Sequence, residues 1–120
     1  MREKLIGDWG ESLARKFLRK KGYRFVTSNF HSRMGEIDLI VEDRKTLVFV
    51  EVKTRKSSNF AQGREFVDHG KQERLRITAS YYLAQHETDK PVRFDVIEIY
   101  APKGIMTEKP IINHLEDAFQ

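Results

Sequence analysis

Two acidic residues and a lysine, Asp38, Glu51 and Lys53, stand within the apolar, strand-like stretch GEIDLIVEDRKTLVFVEVKTR at 35–55. A charged side chain is costly in such a stretch unless something pairs with it. Two carboxylates that leave positions for water and for a substrate phosphate are a ligand set that Mg²⁺ accepts. A neighbouring ammonium group can stabilise negative charge that develops on phosphate oxygens. These residue types therefore suit metal-dependent hydrolysis of a phosphodiester.

The length of the polar turn between the two apolar runs decides whether the acids meet. A four-residue loop at 43–46 makes Glu42 the partner of Leu47 and places Asp38 directly opposite Glu51. Because side chains alternate along a strand, this register predicts one shared face for six residues: Asp38, Ile40, Leu47, Phe49, Glu51 and Lys53. Opposed β-carbons lie roughly 4.5–5.5 Å apart and like charges there are destabilising. A cation between the acids accounts for their presence, whereas a loop one residue longer or shorter would separate them.

The remaining sequence predicts the elements that position this hairpin. Residues 4–21 carry an apolar stripe at helical spacing, and Gly22 supplies a C-terminal stop. A second helix begins near Lys71, with four core-facing residues: Leu75, Ala79, Tyr82 and Leu83. The other predicted elements are a short strand at 23–27, a loop at 28–35, a mobile connection at 55–70, a strand at 92–100 and a short strand and turn at 110–119. This order predicts a single α/β domain over 1–120, with a mixed central sheet flanked by helices.

Composition limits the compartment and the class of partner. The chain has no cysteine, which excludes disulfides and thiolate metal sites and favours a reducing compartment. No segment resembles a signal peptide or is long enough to cross a bilayer, so a soluble cytoplasmic protein without a membrane partner is expected.

The basic residues outnumber the acidic ones by 22 to 18, which gives a net charge of +4. They concentrate in three groups: Arg15, Lys16, Arg19, Lys20, Lys21 and Arg24; Lys53, Arg55 and Lys56; Lys71, Arg74 and Arg76. Each group alone fits a solvated face. Three groups placed around one pair of carboxylates favour a nucleic-acid surface.

An Asp followed after a hairpin by Glu-x-Lys resembles the PD-(D/E)xK restriction-endonuclease-like nucleases, here as Ile37–Asp38 and Glu51–Lys53. Ile37 stands where the motif has proline, a residue without a ligand role. The segments GDWGESLARKFLRKKGY, GEIDLI, FVEVKTR, KQERL, RFDVI and INHLEDAF resemble the YraN family of bacterial proteins over nearly the whole chain. That family is similar in its core to archaeal Holliday-junction resolvases. The resemblance implies a restriction-endonuclease-like domain.

The resemblance also implies a set of site residues. Asp38, Glu51 and Lys53 would be catalytic, and Glu11 on the first helix would complete the site, as in the resolvase-like branch. Mg²⁺, for which Mn²⁺ can substitute, would be held by Asp38, Glu51 and Glu11, with the backbone carbonyl of Val52 as a further ligand. Without the resemblance, Glu11 is better read as a boundary glutamate paired with the arginine one turn later.

The implied substrate class is DNA, held through its phosphates and branched or single-stranded in form. The candidate contacts are Arg55, Lys71, Gln72 and Arg74; several families of this fold place a glutamine near the site, although a solvated helix residue is an equal reading of Gln72. No sequence-reading helix is evident, so little base specificity is expected. A homodimer is expected only by analogy with two-fold junction-cleaving enzymes.

A DNA endonuclease is therefore the predicted function, and two alternatives stay open. One is a catalytically silent nucleic-acid-binding protein of the same fold. The other is a protein-interaction scaffold in which the acids and Lys53 form a structural ion pair.

Overall fold

The computed structural model describes residues 2–56 and 67–120. Its elements are α1 (Arg2–Lys20), β1 (Arg24–His31), β2 (Glu36–Glu42), β3 (Leu47–Arg55), α2 (His69–Gln85), β4 (Val92–Tyr100), a 3-10 turn (Gly104–Met106) and β5 (Ile111–Phe119). The strands form one sheet in the order β1-β2-β3-β4-β5. Neighbouring strands are antiparallel except for β3 and β4, which are parallel and are connected through α2. The predicted α/β domain with a mixed sheet is confirmed.

The two helices cover opposite faces of the sheet. One core, on the α1 face, contains Ala14 and Leu18 packed against Val48, Val50 and neighbouring strand residues. The other core lies on the α2 face, and its principal members are Ile40, Phe49, Leu75, Ala79, Tyr82 and Phe94, with Leu83 partly buried against them. The predicted apolar face of α2 is confirmed. That of α1 is confirmed from Trp9 to Leu18, whereas Leu5, where the predicted stripe begins, is 60% exposed. In the described part of the chain, no helix is long and apolar enough to span a membrane.

Helix boundaries follow local chemistry. Gly22 ends α1 with a φ of +100°, a conformation that glycine adopts without a steric penalty. At the start of α2, the carboxylate of Asp68 accepts a hydrogen bond from the backbone N–H of Lys71 at 2.8 Å. This N-cap starts the helix two residues before the predicted Lys71.

The predicted hairpin register is confirmed. Glu42 pairs with Leu47, and the pairing continues through Val41–Val48 and Ile40–Phe49 to Leu39–Val50. Asp43 closes the four-residue turn, because its Oδ1 accepts hydrogen bonds from the backbone N–H groups of Lys45 at 2.8 Å and Thr46 at 2.7 Å. The regular pairing ends at Leu39–Val50, one residue before the predicted pair of Asp38 and Glu51.

Two predicted strand lengths are wrong. β1 runs to His31 and leaves only 32–35 as a loop. Its second half is polar and only partly buried, since it is an edge strand whose backbone pairs with β2 whatever its side chains are. β5 extends over nine residues, Ile111–Phe119, in place of a short strand and turn. Arg55 belongs to β3; residues 57–66 of the predicted mobile connection lie outside the described residues.

Candidate metal and nucleic-acid site

Asp38 lies where the alternation of β2 is interrupted. Ile37 and Ile40 both pack in the core on the α2 face, whereas Leu39 packs in the core on the α1 face. On β1, the neighbouring Asn29 has a φ of 51°, and the pairing skips the position where it would meet Asp38. Because of this irregularity Asp38 does not simply continue the row of Ile40, which corrects the predicted strict alternation.

The irregularity directs the carboxylate of Asp38 towards β3. Its Oδ2 accepts a hydrogen bond from the backbone N–H of Val52 at 2.8 Å. The side chain thereby satisfies a strand N–H that lies beyond the last regular pair, Leu39–Val50. This bond fixes the carboxylate beside the second half of β3.

The side chains of Asp38 and Glu51 are in hydrogen-bond contact. Burial, followed by hydrogen bonding to Glu51 and its charge, raises the pKa of Asp38 to about 9. Burial acts to raise the pKa of Glu51 as well, but hydrogen bonding to Asp38 and the charge of Lys71 outweigh it and lower that pKa. Two carboxyl groups in such contact titrate as a unit. The two shifts favour the protonated form of Asp38 and the charged form of Glu51.

Two lysines converge on this pair. Lys71 Nζ lies 2.9 Å from Glu51 Oε2, and the Glu51 side chain is only 7% exposed. Apart from this ion pair, that Oε2 is buried without a hydrogen-bond partner among the described residues. Burial and the neighbouring Lys71 lower the pKa of Lys53, although the charges of Glu51 and Asp38 oppose that shift. Lys71 is thus a residue of the acidic site, a role that the sequence analysis did not assign to it.

Glu11 and Asp38 line the same cavity, which has a volume of about 750 Å³. Asn29 donates hydrogen bonds from its Nδ2 to Glu11 Oε2 at 3.1 Å and to Glu36 Oε1 at 3.0 Å. Burial raises the pKa of Glu11. The carboxylates of Glu11, Asp38 and Glu51 do not converge within 4.8 Å of one another. The structure therefore places Glu11 on the wall of the cavity that Asp38 also lines.

Close packing of α1 against β3 sets the position of Glu11. A β-carbon added to the preceding residue, Gly10, would lie 2.4 Å from Thr54 Oγ1. Real β-carbons essentially never come so close to another heavy atom, so a side chain at this position would push α1 away from β3 or turn Thr54. Gly7, one turn earlier, has open space around it.

The other candidate nucleic-acid residues have different surroundings. Arg55 and Arg74 are exposed, on β3 and α2 respectively. Gln72 is buried: its Nε2 donates to the carbonyl of Val67 at 2.8 Å, and its Oε1 accepts from Arg76 at 3.1 Å. Both polar ends of Gln72 are engaged within the protein. The predicted nucleic-acid contacts of these residues, and that of Lys71, stay predictions.

A second buried acid, Asp95, is held in a closed network. It accepts hydrogen bonds from Arg93 Nε at 2.8 Å and from the backbone N–H of Asp117 at 3.0 Å, and it lies 2.7 Å from His114 Nε2. Asp95, His114 and Glu116 form the one group of three metal-capable side chains within 4.8 Å in the described residues. Since Arg93 also pairs with Glu116 at 3.2 Å, a guanidinium supplies the positive charge there.

Glu98 of β4 was also missed in the sequence analysis. It is fully buried and pairs in the parallel register with Lys53. Its Oε1 accepts from Asn113 at 3.0 Å, and burial raises its pKa. The signal for Asp95 and Glu98 was present in the sequence, since both interrupt the apolar run at 92–100.

Comparison with known proteins identifies a family whose matched range includes the candidate site residues. The model of the Uncharacterised protein family UPF0102 matches 10–99, which includes Glu11, Asp38, Glu51 and Lys53. The chain belongs to the UPF0102 family. A UPF0102 protein of Caldicellulosiruptor bescii is 46% identical to it, over 99% of this chain and 100% of the relative. UPF0102 proteins of Caldanaerobacter subterraneus subsp. tengcongensis and Nocardia farcinica are 42% and 39% identical, over 98% and 95% of this chain and 96% and 88% of theirs. The predicted YraN-like relationship is confirmed.

Proposed function

We propose that this UPF0102 protein is a metal-dependent DNA endonuclease of the restriction-endonuclease-like type. The observation that carries the proposal is the contact between the half-buried carboxyl group of Asp38 and the buried carboxyl group of Glu51. Two acids in contact within a sheet destabilise it unless a proton or a cation compensates their charge. A nuclease centre explains why both are present.

The residues fit a hard divalent cation. Asp38 and Glu51 offer carboxylate oxygens, and the buried Oε2 of Glu51 has no hydrogen-bond partner among the described residues apart from its ion pair with Lys71. Mg²⁺ and Mn²⁺ favour oxygen ligands and retain bound water. Asp38 and Glu51 would hold the ion, the carbonyl of Val52 is the nearby backbone candidate, and Glu11 adds negative charge on the cavity wall.

A divalent cation bound there supplies activation of water and neutralisation of charge on a phosphate. The side chains of this protein provide the remaining functions. Lys53 and Lys71 place ammonium groups beside the acid pair, where they can bind phosphate oxygens and stabilise their developing charge. The lowered pKa of Lys53 also makes it the more readily deprotonated of the two. The cavity of about 750 Å³ provides room for a phosphodiester.

The second candidate function is nucleic-acid binding without cleavage. The ion pair between Lys71 and Glu51 favours it, because an ammonium group already compensates the charged acid. In that case Asp38 would remain protonated and the site would be a structural cluster. The same basic residues would still bind phosphates.

The deciding experiment is a cleavage assay on a panel of DNA substrates. The panel contains a four-way junction, a flap, a single strand and a blunt duplex, each incubated with Mg²⁺, Mn²⁺ or a chelator. We expect metal-dependent cleavage by the wild type and at least a hundredfold loss in Glu51→Gln. Equal cleavage by both proteins would indicate a contaminating nuclease, and binding without cleavage by the wild type would support the second function.

A further inference from the structure

A second cavity, of about 400 Å³, lies between α1 and β1. Among described residues, it shares no lining residue with the cavity beside Asp38. Its floor is apolar, since Leu18 and Val41 are almost completely buried there and Tyr23 is 9% exposed. Its rim carries the guanidinium and ammonium groups of Arg15, Lys16 and Arg19, all of which are exposed.

An aromatic ring and a guanidinium are already stacked at this cavity. Arg15 Cζ lies 3.7 Å from the centroid of the Phe25 ring, and Phe25 is 38% exposed on an edge strand. A planar guanidinium and an aromatic ring are the groups on which unstacked nucleobases pack. An exposed phenylalanine held in this way offers such a platform without further ordering.

The charge of the cavity is of one sign. None of the described residues that line it is acidic. Arg24 is engaged by Glu42, which also accepts a hydrogen bond from Lys90 at 2.9 Å. Arg15, Lys16 and Arg19 therefore provide the positive charge available to a ligand. A polyanion is the ligand that matches three cations on one rim.

Volume and chemistry together select the occupant. A cavity of this size lies at the lower end of those that hold small ligands. An apolar, aromatic floor suits a base, and a cationic rim suits the phosphate beside it. A base within a duplex is already stacked and paired and does not reach such a cavity. The base of an unpaired nucleotide is free to enter the cavity.

The cavity also lies next to the proposed nuclease site. Glu11 on the wall of one cavity and Arg15 on the rim of the other are four residues apart on α1. At about 1.5 Å per residue, this separation is about 6 Å along the helix. A nucleic-acid strand that follows α1 and the edge strand β1 can contact both cavities.

We infer that the cleft between α1 and β1 binds an unpaired nucleotide of the substrate, which gives the protein a preference for nucleic acids with single-stranded segments. This inference rests on the proposed function for the identity of the substrate strand. It adds a selectivity site that involves neither Asp38 nor Glu51.

The test measures binding with cleavage suppressed. Fluorescence anisotropy of the full chain in chelator compares a labelled single strand, a flap and a blunt duplex at several salt concentrations. The variants are Phe25→Leu, which keeps the apolar volume but removes the ring, and the double variant Arg15→Gln, Arg19→Gln. The matched control is Lys103→Gln, Lys109→Gln, which removes the same charge from exposed positions outside both cavities.

We expect the wild type to bind the single strand and the flap more tightly than the duplex. Phe25→Leu should weaken binding to those two about tenfold and leave duplex binding unchanged. The double arginine variant should lower the slope of log affinity against log salt by about 1.4, because each phosphate of a single strand that a cation neutralises contributes about 0.7. The lysine control should reduce that slope by much less, and thermal melts should show that all variants are folded.

The outcomes separate this inference from the proposed function. Equal binding of all substrates by the wild type and the variants, with cleavage intact, would overturn the inference about the cleft and leave the proposed function standing. Failure of the wild type to bind any nucleic acid would overturn both. Binding of anionic lipid vesicles in place of DNA, weakened by the same variants, would assign the cleft to a membrane surface and overturn the inference.

Discussion

The carboxyl groups of Asp38 and Glu51 shift each other's pKa in opposite directions, and the charge of Lys71 adds to the lowering at Glu51. Glu51 lies 2.9 Å from the Lys71 ammonium and has a lowered pKa, whereas Asp38 forms no ion pair within the described residues and has a raised pKa. A divalent cation would replace both the proton on Asp38 and the ammonium at Glu51.

Lys71→Met should destabilise the metal-free protein by about 1–3 kcal/mol, because it leaves the buried charge of Glu51 without its partner. Saturating Mg²⁺ should recover part of that loss through linkage. Urea unfolding with chelator and with Mg²⁺ measures both effects, and Lys20→Met, at an exposed helix position, is the control. A Lys71→Met protein with wild-type stability in chelator would contradict this role of the lysine.

The pH dependence of stability in chelator tests the shared proton. The folded protein keeps a proton on Asp38 up to about pH 9, whereas an unfolded Asp loses it near 3.8. Folded molecules thus bind more protons than unfolded ones over that range, and this carboxyl lowers stability as the pH rises. The stability of Asp38→Asn relative to the wild type should therefore increase from pH 5 to pH 9. A constant difference in urea midpoint over this range would show that Asp38 is ionised in the folded protein.

At the level of elements, the sheet has the same local irregularity at two places, where an acidic residue lies beside a residue with positive φ on the neighbouring strand. Asp38 lies beside Asn29, which has a φ of 51°, and Asp95 lies beside Asp117, which has a φ of 52°. Each acid accepts a hydrogen bond from a backbone N–H of a neighbouring strand, Val52 in one case and Asp117 in the other. Strand irregularities of this kind redirect side chains. Asp95 is then enclosed by basic groups, whereas Asp38 opens onto a cavity.

Asp95→Asn should destabilise the fold by about 1–3 kcal/mol at pH 7, because Arg93 loses the buried carboxylate and keeps only the more exposed Glu116 as an acidic partner. Burial acts to raise the pKa of Asp95, but hydrogen bonds from His114 and Arg93 outweigh it and lower that pKa. The stabilisation is thus present above about pH 3.8 and is lost as the folded carboxyl is protonated below it. Melting curves from pH 7 to pH 2 should show that the difference in melting temperature between the wild type and Asp95→Asn decreases only at the acid end. If this difference in melting temperature is unchanged at pH 2, the charge of Asp95 is not its cause.

The contact between α1 and β3 predicts opposite effects for two glycines of one helix. Gly10→Ala should destabilise the protein by about 1–3 kcal/mol, because the new methyl group meets Thr54. Gly7→Ala has free space and should be stabilising by up to about 1 kcal/mol through helix propensity. Adding Thr54→Ala to Gly10→Ala should restore most of the loss in urea unfolding. Equal effects of the two alanines would show that α1 does not pack this closely on β3.

At the scale of the whole molecule, the site joins parts that are distant in sequence. Glu11 comes from α1, Asp38 and Glu51 from the hairpin, and Lys71 from α2. The hairpin could be predicted because turn length and alternation are local properties, and the register from Glu42–Leu47 follows from them. The pairing of Lys71 with Glu51 depends on how α2 packs across the sheet, which no local pattern specifies.

Other differences from the sequence analysis have the same origin. The polar half of β1 shows no apolar alternation, yet its backbone pairs with β2 as an edge strand. The break in alternation at Asp38 arises from the positive φ of Asn29 on the neighbouring strand. Apolar periodicity predicts which residues enter the core. It does not predict irregular strand pairing or the polar contacts between a helix and the strands that it covers.

The most direct test of the account is a titration with Mn²⁺ in the absence of nucleic acid, followed by electron paramagnetic resonance of the free ion. The wild type should bind one Mn²⁺ per chain, and Mg²⁺ should compete for the same site. Asp38→Asn and Glu51→Gln should each lose that binding while remaining folded. The control variant Asp95→Asn should retain it, provided that its melting curve shows a folded protein. Equal Mn²⁺ binding by the wild type and by both acid variants, or no binding by the wild type, would contradict the claim that these two carboxylates form a metal site.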